Sequence, residues 1–234
     1  MIKSIKFTQD YDLMVEKESQ RRFPVKTIKP TAYSREKKPY DVFFLFKKGF
    51  QIKFESGINI IVGENGSGKS SLLSLIKSEL NHEDSSYMKI IGDTTSKTVI
   101  FFNGEEDNPV TAIPKMMNPE AKNFISLSAQ FFFAQEESHG ESMLPALDYI
   151  LDNAKGGYTI FMDEPETALS LKNQIRLVNK IKRSAGEYRN QLFLSTHSLA
   201  IINEFETIYD MEIRQWVRRS AYVQDIMHPN NLDI

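Results

Sequence analysis

Residues 63–71 read Gly63-Glu64-Asn65-Gly66-Ser67-Gly68-Lys69-Ser70-Ser71, glycines bracketing a run that ends in a lysine and hydroxyls. Such a run can curl its backbone N–H groups around phosphate oxygens when a buried strand feeds it and a helix leaves it. Both flanks are present. Ile58-Asn59-Ile60-Ile61-Val62 is a short, mostly apolar β-branched run, and from Lys69 onward Leu72, Leu73 and Ile76 fall at helical spacing. In that setting Lys69 is expected to reach the β- and γ-phosphates of ATP and Ser70 to ligate Mg²⁺, while the helix N-terminus adds partial positive charge. A chance glycine-rich turn is the alternative, and the flanks argue against it.

A second apolar run, Tyr158 to Met162, ends in Asp163-Glu164-Pro165, the Walker B pattern. Adjacent carboxylates at the C-terminal edge of a parallel sheet divide their work, one facing a metal and its neighbour the γ-phosphate. Asp163 is therefore expected to hold Mg²⁺ and Glu164 to polarise the attacking water. Taken alone, the pattern is equally a strand followed by an acidic helix cap. A third strand-like run, Gln191 to Ser195, leads into Thr196-His197-Ser198. His197 is the candidate γ-phosphate sensor or water-orienting group, with a purely structural histidine as the alternative. Lys69, Glu164 and His197 form the candidate catalytic set.

The order of these motifs, with Ser138-His139-Gly140-Glu141-Ser142 before Asp163 and Ala168-Leu169-Ser170 after it, resembles the ABC-ATPase superfamily. The Ser-His-Gly-Glu core looks like that of small stand-alone predicted ATPases of bacteria and phages, and the resemblance runs from Gly49 to about Glu204. It implies an α/β P-loop NTPase fold, an ABC-type nucleotide-binding domain with a parallel core sheet, an antiparallel β subdomain and a short helical insertion. It further implies that Ser138 and Gly140 bind the γ-phosphate held by a second copy, so that two ATP molecules are sandwiched in a head-to-tail homodimer. His139 stands where relatives carry a small residue, and a helix cap at Ser142 is the plain alternative. Glu166 to Ser170 resembles the D-loop, with Ser170 in place of the more usual Asp. No glutamine follows Phe102 closely enough to serve as the Q-loop residue, whereas Gln130 and Gln135 lie near the signature. Tyr40 is a candidate for stacking on adenine, against the commoner reading of a core or surface aromatic.

The elements that must position these residues alternate along the chain. Ile2 to Phe7 and Phe50 to Phe54 have strand patterns, and Val42 to Phe46 with Lys47-Lys48-Gly49 predicts a hairpin with the latter. Further strands are predicted at residues 98–102, near Ile208 and near Ile213. Helices are predicted over 121–135, over 143–154 with Pro145 in the first turn, near 170–184 and from about Ser198. Alternation of this kind indicates an α/β sandwich. The 234 residues suit one domain, with residues 1–45 a basic N-terminal segment and 103–155 an insertion and signature region.

Composition excludes several classes. No apolar stretch approaches the ~20 residues that a membrane-spanning helix needs, and the N-terminus lacks the apolar core of a signal peptide, so a cytoplasmic protein without membrane insertion is expected. With 0 cysteines there are no disulfides and no thiolate chemistry. The net charge of −2 gives no global attraction to nucleic acid. A local strip of Arg21, Arg22, Lys26, Lys29, Arg35, Lys37 and Lys38, interleaved with Phe23 and Tyr33, could contact nucleic acid or be a solvated face. Arg214, Trp216, Arg218 and Arg219 pose the same choice, with a protein partner as a third option. The span between the phosphate loop and the signature is too short and too rich in proline for long coiled-coil arms. The leading expectation is an Mg-dependent ATPase that drives or regulates a partner effector, in nucleic-acid maintenance or phage–host conflict. A slowly turning ATP-dependent clamp or sensor and a transporter nucleotide-binding subunit are the alternatives.

Overall fold

The computed structural model describes residues 1–8, 46–80, 88–92, 99–104 and 139–227, with side chains from residue 144 onward in the last of these stretches. Within them the β-branched and aromatic runs become strands that alternate across a sheet buried on both sides. β1 (Ile2–Phe7), β2 (Gln51–Lys53) and β4 (Met88–Gly92) form an antiparallel sheet in the order β2-β1-β4. β3 (Ile58–Val62), β5 (Val99–Asn103), β6 (Thr159–Asp163), β7 (Gln191–Ser195), β8 (Thr207–Asp210) and β9 (Gln215–Arg218) form the main sheet, in the order β5-β6-β7-β3-β8-β9. Its first five strands are parallel and β9 runs antiparallel to β8.

The period of two in each strand divides the core. Ile60, Val62, Ile160, Met162, Leu192 and Leu194 face one side, where they meet α2 (His139–Asn153), α3 (Leu171–Glu187) and α4 (Leu199–Ile202). Ile61, Phe161 and Phe193 face the other, against α1 (Lys69–Leu80) and the antiparallel sheet. On that side Phe161 stacks on Phe193 at 4.9 Å, and Phe54 meets Phe193 edge-on at 4.9 Å. Buried amides lace the layers together. Gln191 accepts from Ile2 N at 2.7 Å and donates to the carbonyls of Ile2 and Glu55 at 2.7 Å each, fastening β1 to the main sheet. Asn190 accepts from Tyr158 N and donates to Ser184 Oγ at 2.9 Å, tying the start of β6 to α3.

Several sequence expectations shift. The strand that pairs with β2 among the described residues is β1, whereas the predicted hairpin partner lies outside them except for Phe46, which stacks on Phe7 at 4.4 Å. Helix α2 begins at His139, so Pro145 sits inside it rather than in its first turn, and Ser142 is already helical rather than a cap. Proline is borne there because the bond it forfeits is to the carbonyl of residue 141, close to the helix start. Ile213 lies in the turn between β8 and β9 and is 55% exposed, so the strand signal there belongs two residues further on. Neither β4 nor the terminal helix α5 (Arg219–Met227) was expected, the first because polar residues flank it and the second because it buries no residue fully. The basic segment, Tyr40, the helix predicted over 121–135, Gln130, Gln135 and Ser138 lie outside the described residues.

Candidate functional site

The strand order sets the site. β3 and β6 are separated by β7 alone, and all three point their C-terminal ends the same way. The glycine-rich loop, the acid pair and the histidine loop therefore leave three adjacent strands at one sheet edge. Asp163 and Ser195 stand at the same register across β6 and β7.

The loop after β3 adopts conformations that side chains resist. Gly63 has φ +145°, and a Cβ there would fall 2.7 Å from Ser67 Oγ. Lys69 opens α1, and its ammonium turns back to donate to the carbonyls of Gly63 at 3.0 Å and Glu64 at 3.2 Å. It is only 4% exposed, and burial lowers its pKa, against the opposing pull of Glu164, Asp163, Glu166 and Glu212. Ser70 is exposed at the second position of the same helix. Glu64 N donates to Glu212 at 3.0 Å, which fastens the start of the loop to the turn after β8.

Around Lys69 the three candidate catalytic groups meet. Lys69 Nζ lies 2.6 Å from His197 Nε2 and 3.9 Å from Glu164 Oε1, and His197 Nε2 lies 3.1 Å from the same carboxylate oxygen. Nε2 can accept from the lysine or donate to the glutamate, but not both at once. The cluster is therefore one partner short. Glu164 is held in the left-handed region at φ +47°, with its N–H donating to the Ser195 carbonyl at 3.1 Å. Asp163 is buried, and one of its oxygens accepts from the Ser195 hydroxyl.

Other residues outside the candidate catalytic set gather at the same edge. Gly104 N donates to the Asp163 carbonyl at 2.8 Å, and a Cβ on Gly104 would fall 2.1 Å from the Glu164 carbonyl oxygen. Asn103 stands beside Asp163 at matching register on β5. Glu166 accepts from the loop that carries His197. The sequence signals for these were the polar residues that close each strand, which carry no motif of their own. Ser170 caps α3 by accepting from Asn173 N at 3.4 Å. Gly140 lies in the first turn of α2, which is bound to α3 by Asp148 with Arg176 at 2.5 Å and Lys180 at 2.8 Å.

Two members of the C-terminal cluster, Trp216 and Arg219, make contacts inside the fold. The Trp216 indole donates to the Lys53 carbonyl at 2.8 Å and packs edge-on against Tyr209, while Arg219 donates to the Asn203 carbonyl at 2.5 Å. Trp216 is half-buried.

A main sheet of mostly parallel strands, an attached antiparallel sheet and a glycine-rich loop before a helix make up the P-loop fold of ABC-type nucleotide-binding domains. The family model described as an AAA domain matches residues 42–226, and the chain belongs to that family. Among solved structures, a nucleotide-free ATP-binding cassette from an ABC transporter superposes with a TM-score of 0.56 at 15% identity, over 97% of this chain and 95% of that one. The cbiO1 subunit of Clostridium perfringens, described as part of the ABC transporter complex cbiONQ, gives 0.54 at 13% identity over 100% and 96%. A dimeric post-hydrolysis ATP-binding cassette bound to ADP and Pi gives 0.52 at 14% identity over 94% and 99%. None of the curated proteins matches this sequence. Among the described residues no helix is long and apolar enough to cross a membrane.

Proposed function

We propose that this chain binds Mg·ATP on the loop from Gly63 to Ser71 and hydrolyses it, with Glu164 polarising the attacking water. The observation that carries the reading is the convergence of Lys69, His197 and Glu164 within 3.9 Å of one another, in a cluster that lacks one partner. A terminal phosphate entering there gives Lys69 the anion it now replaces with backbone carbonyls. It also lets His197 donate to a phosphate oxygen and frees Glu164 to take a proton from water. Ser70 and Asp163 fit Mg²⁺ as hard oxygen donors on adjacent elements, and that ion would neutralise phosphate charge.

The reading extends to two copies arranged head to tail, each offering Ser138 and Gly140 to the nucleotide of the other. Helix α2 starting at His139 supports this, because backbone N–H groups of a first turn are available to an anion. In this reading the dimer closes on ATP, reopens after hydrolysis, and drives or regulates a protein effector in the cytoplasm, in nucleic-acid maintenance or phage–host conflict. The test is mass in solution by light scattering, with and without Mg·ATP, for wild type and Glu164→Gln. The expected result is an ATP-dependent dimer that persists in the variant and decays in the wild type as ATP is consumed. Unchanged mass in both, alongside wild-type turnover, refutes the sandwich; turnover in Glu164→Gln equal to wild type refutes the role of Glu164.

A further inference from the structure

The loops that carry Glu164 and His197 leave neighbouring strands, and a third side chain joins them. Glu166, two residues after the acid pair, turns one carboxylate oxygen into the loop after β7. Its Oε1 accepts from the Thr196 hydroxyl at 2.6 Å, from His197 N at 2.8 Å and from Ser198 N at 3.2 Å. The Thr196 hydroxyl in turn accepts from Ser198 N at 3.0 Å. A second strap runs alongside: Ser198 Oγ donates to Gln174 Oε1 at 2.6 Å, and Gln174 Nε2 donates to the Leu169 carbonyl at 3.0 Å.

The distribution of these bonds is uneven. Three donors converge on Oε1, while Oε2 is buried and finds no partner among the described residues. A carboxylate whose work was to stabilise the turn would spread its donors over both oxygens, since a buried oxygen without a donor costs free energy. Here the donors are those of the histidine backbone and its two neighbours, so the carboxylate fixes where the imidazole starts from. The backbone on the other side is also constrained, with φ +47° at Glu164 and +65° at Ala168.

We propose that Glu166 is a positioning residue that holds His197 in reach of Lys69 and Glu164, so that the turn after β6 and the loop after β7 move as one piece. The proposal rests on the reading of Glu164 and His197 given above. It assigns Glu166 no contact with substrate; its effect passes through the imidazole.

The experiment compares ATP turnover, equilibrium binding of a fluorescent ATP analogue and thermal unfolding for the full chain. The variants are Glu166→Ala, Glu166→Gln, His197→Ala, and Glu166→Ala with His197→Ala together. Misplacing a reacting group by an ångström costs on the order of 10²-fold in rate, so Glu166→Ala is expected to lower kcat about 10- to 100-fold while analogue affinity stays within about twofold. Glu166→Gln keeps an acceptor oxygen and is expected to recover most of that loss. The double variant is expected to be no slower than His197→Ala alone, because the clamp has nothing left to position. Multiplied losses in the double variant, a parallel loss of analogue affinity, or undiminished turnover in Glu166→Ala would each overturn the proposal. If Glu166→Ala does not fold, Thr196→Val removes one of the three donors and is expected to lower kcat by a smaller factor; no change there counts against it. Failure of the underlying reading has a different signature: His197→Ala as active as wild type removes the role of His197 and the proposal with it.

Discussion

Gly104 follows β5 where the chain passes against the backbone of the acid pair, and the space there admits hydrogen only. An alanine Cβ would fall 2.1 Å from the Glu164 carbonyl oxygen and 2.9 Å from its carbon, where ordinary contact begins at 3.4 Å. Relief requires a displacement of 1.3 Å, the difference between 3.4 Å and 2.1 Å, shared between two backbones. Either the Glu164 turn yields or the 2.8 Å bond from Gly104 N to Asp163 O breaks. Overpacking of this kind costs about 1–3 kcal/mol, which for a domain of this size lowers the melting temperature by roughly 2–12 °C. If the Glu164 turn yields by an ångström, turnover falls on the order of 10²-fold. The assay pairs thermal unfolding with steady-state ATP hydrolysis for Gly104→Ala, using Gly57→Ala as the control, because a Cβ at Gly57 meets nothing within 4 Å. A Gly104→Ala chain that melts within about 1 °C of wild type and turns over within twofold of it would refute both the packing argument and the placement of Glu164 beside it.

Gln191→Leu leaves the Ile2 N–H and carbonyl without their buried partner, while the Glu55 carbonyl keeps the Asn59 amide at 3.0 Å, and is expected to destabilise the chain by about 2 kcal/mol in urea unfolding. Lys180 is the pH-sensitive member of the α2–α3 contact: burial acts to lower its pKa, but hydrogen bonds to Asp148 and Asp152 prevail and raise it. A raised folded pKa means that its stabilisation is full below the ordinary lysine value and is lost as pH climbs through the raised one. Wild type is therefore expected to lose about 1 kcal/mol more stability than Asp148→Asn between pH 9 and pH 12 at low salt, and equal losses in chemical unfolding would contradict the assignment.

What could be read from the sequence was what periodicity and motif spacing carry. Ile58–Val62, Thr159–Asp163 and Gln191–Ser195 read as buried strands because their apolar runs fill both faces of one sheet, and the structure sets them side by side. Lys69, Glu164 and His197 could be chosen because each follows such a strand. The sequence was silent on which strands are neighbours, so it could not show that β7 lies between β3 and β6 or that one imidazole nitrogen faces two rivals. The partners of Glu166, Gly104 and Ser195 escaped notice for the same reason: each acts on a residue of another loop, and such partnerships follow from strand order rather than from spacing. Trp216 could be singled out by its residue type alone, but its bond to the Lys53 carbonyl at the end of β2 depends on a contact across 163 positions that spacing does not reveal.

The order of the main sheet also decides where this architecture tolerates change. β5 is its outermost strand on the side of the acid pair, and α2 brings the chain back to β6. The chain leaves the sheet after Gly104 and re-enters the described residues at His139, where α2 starts. The strand order asks only that the chain pass from β5 to α2 and on to β6, so the length of that connection is not set by any strand pairing among the described residues.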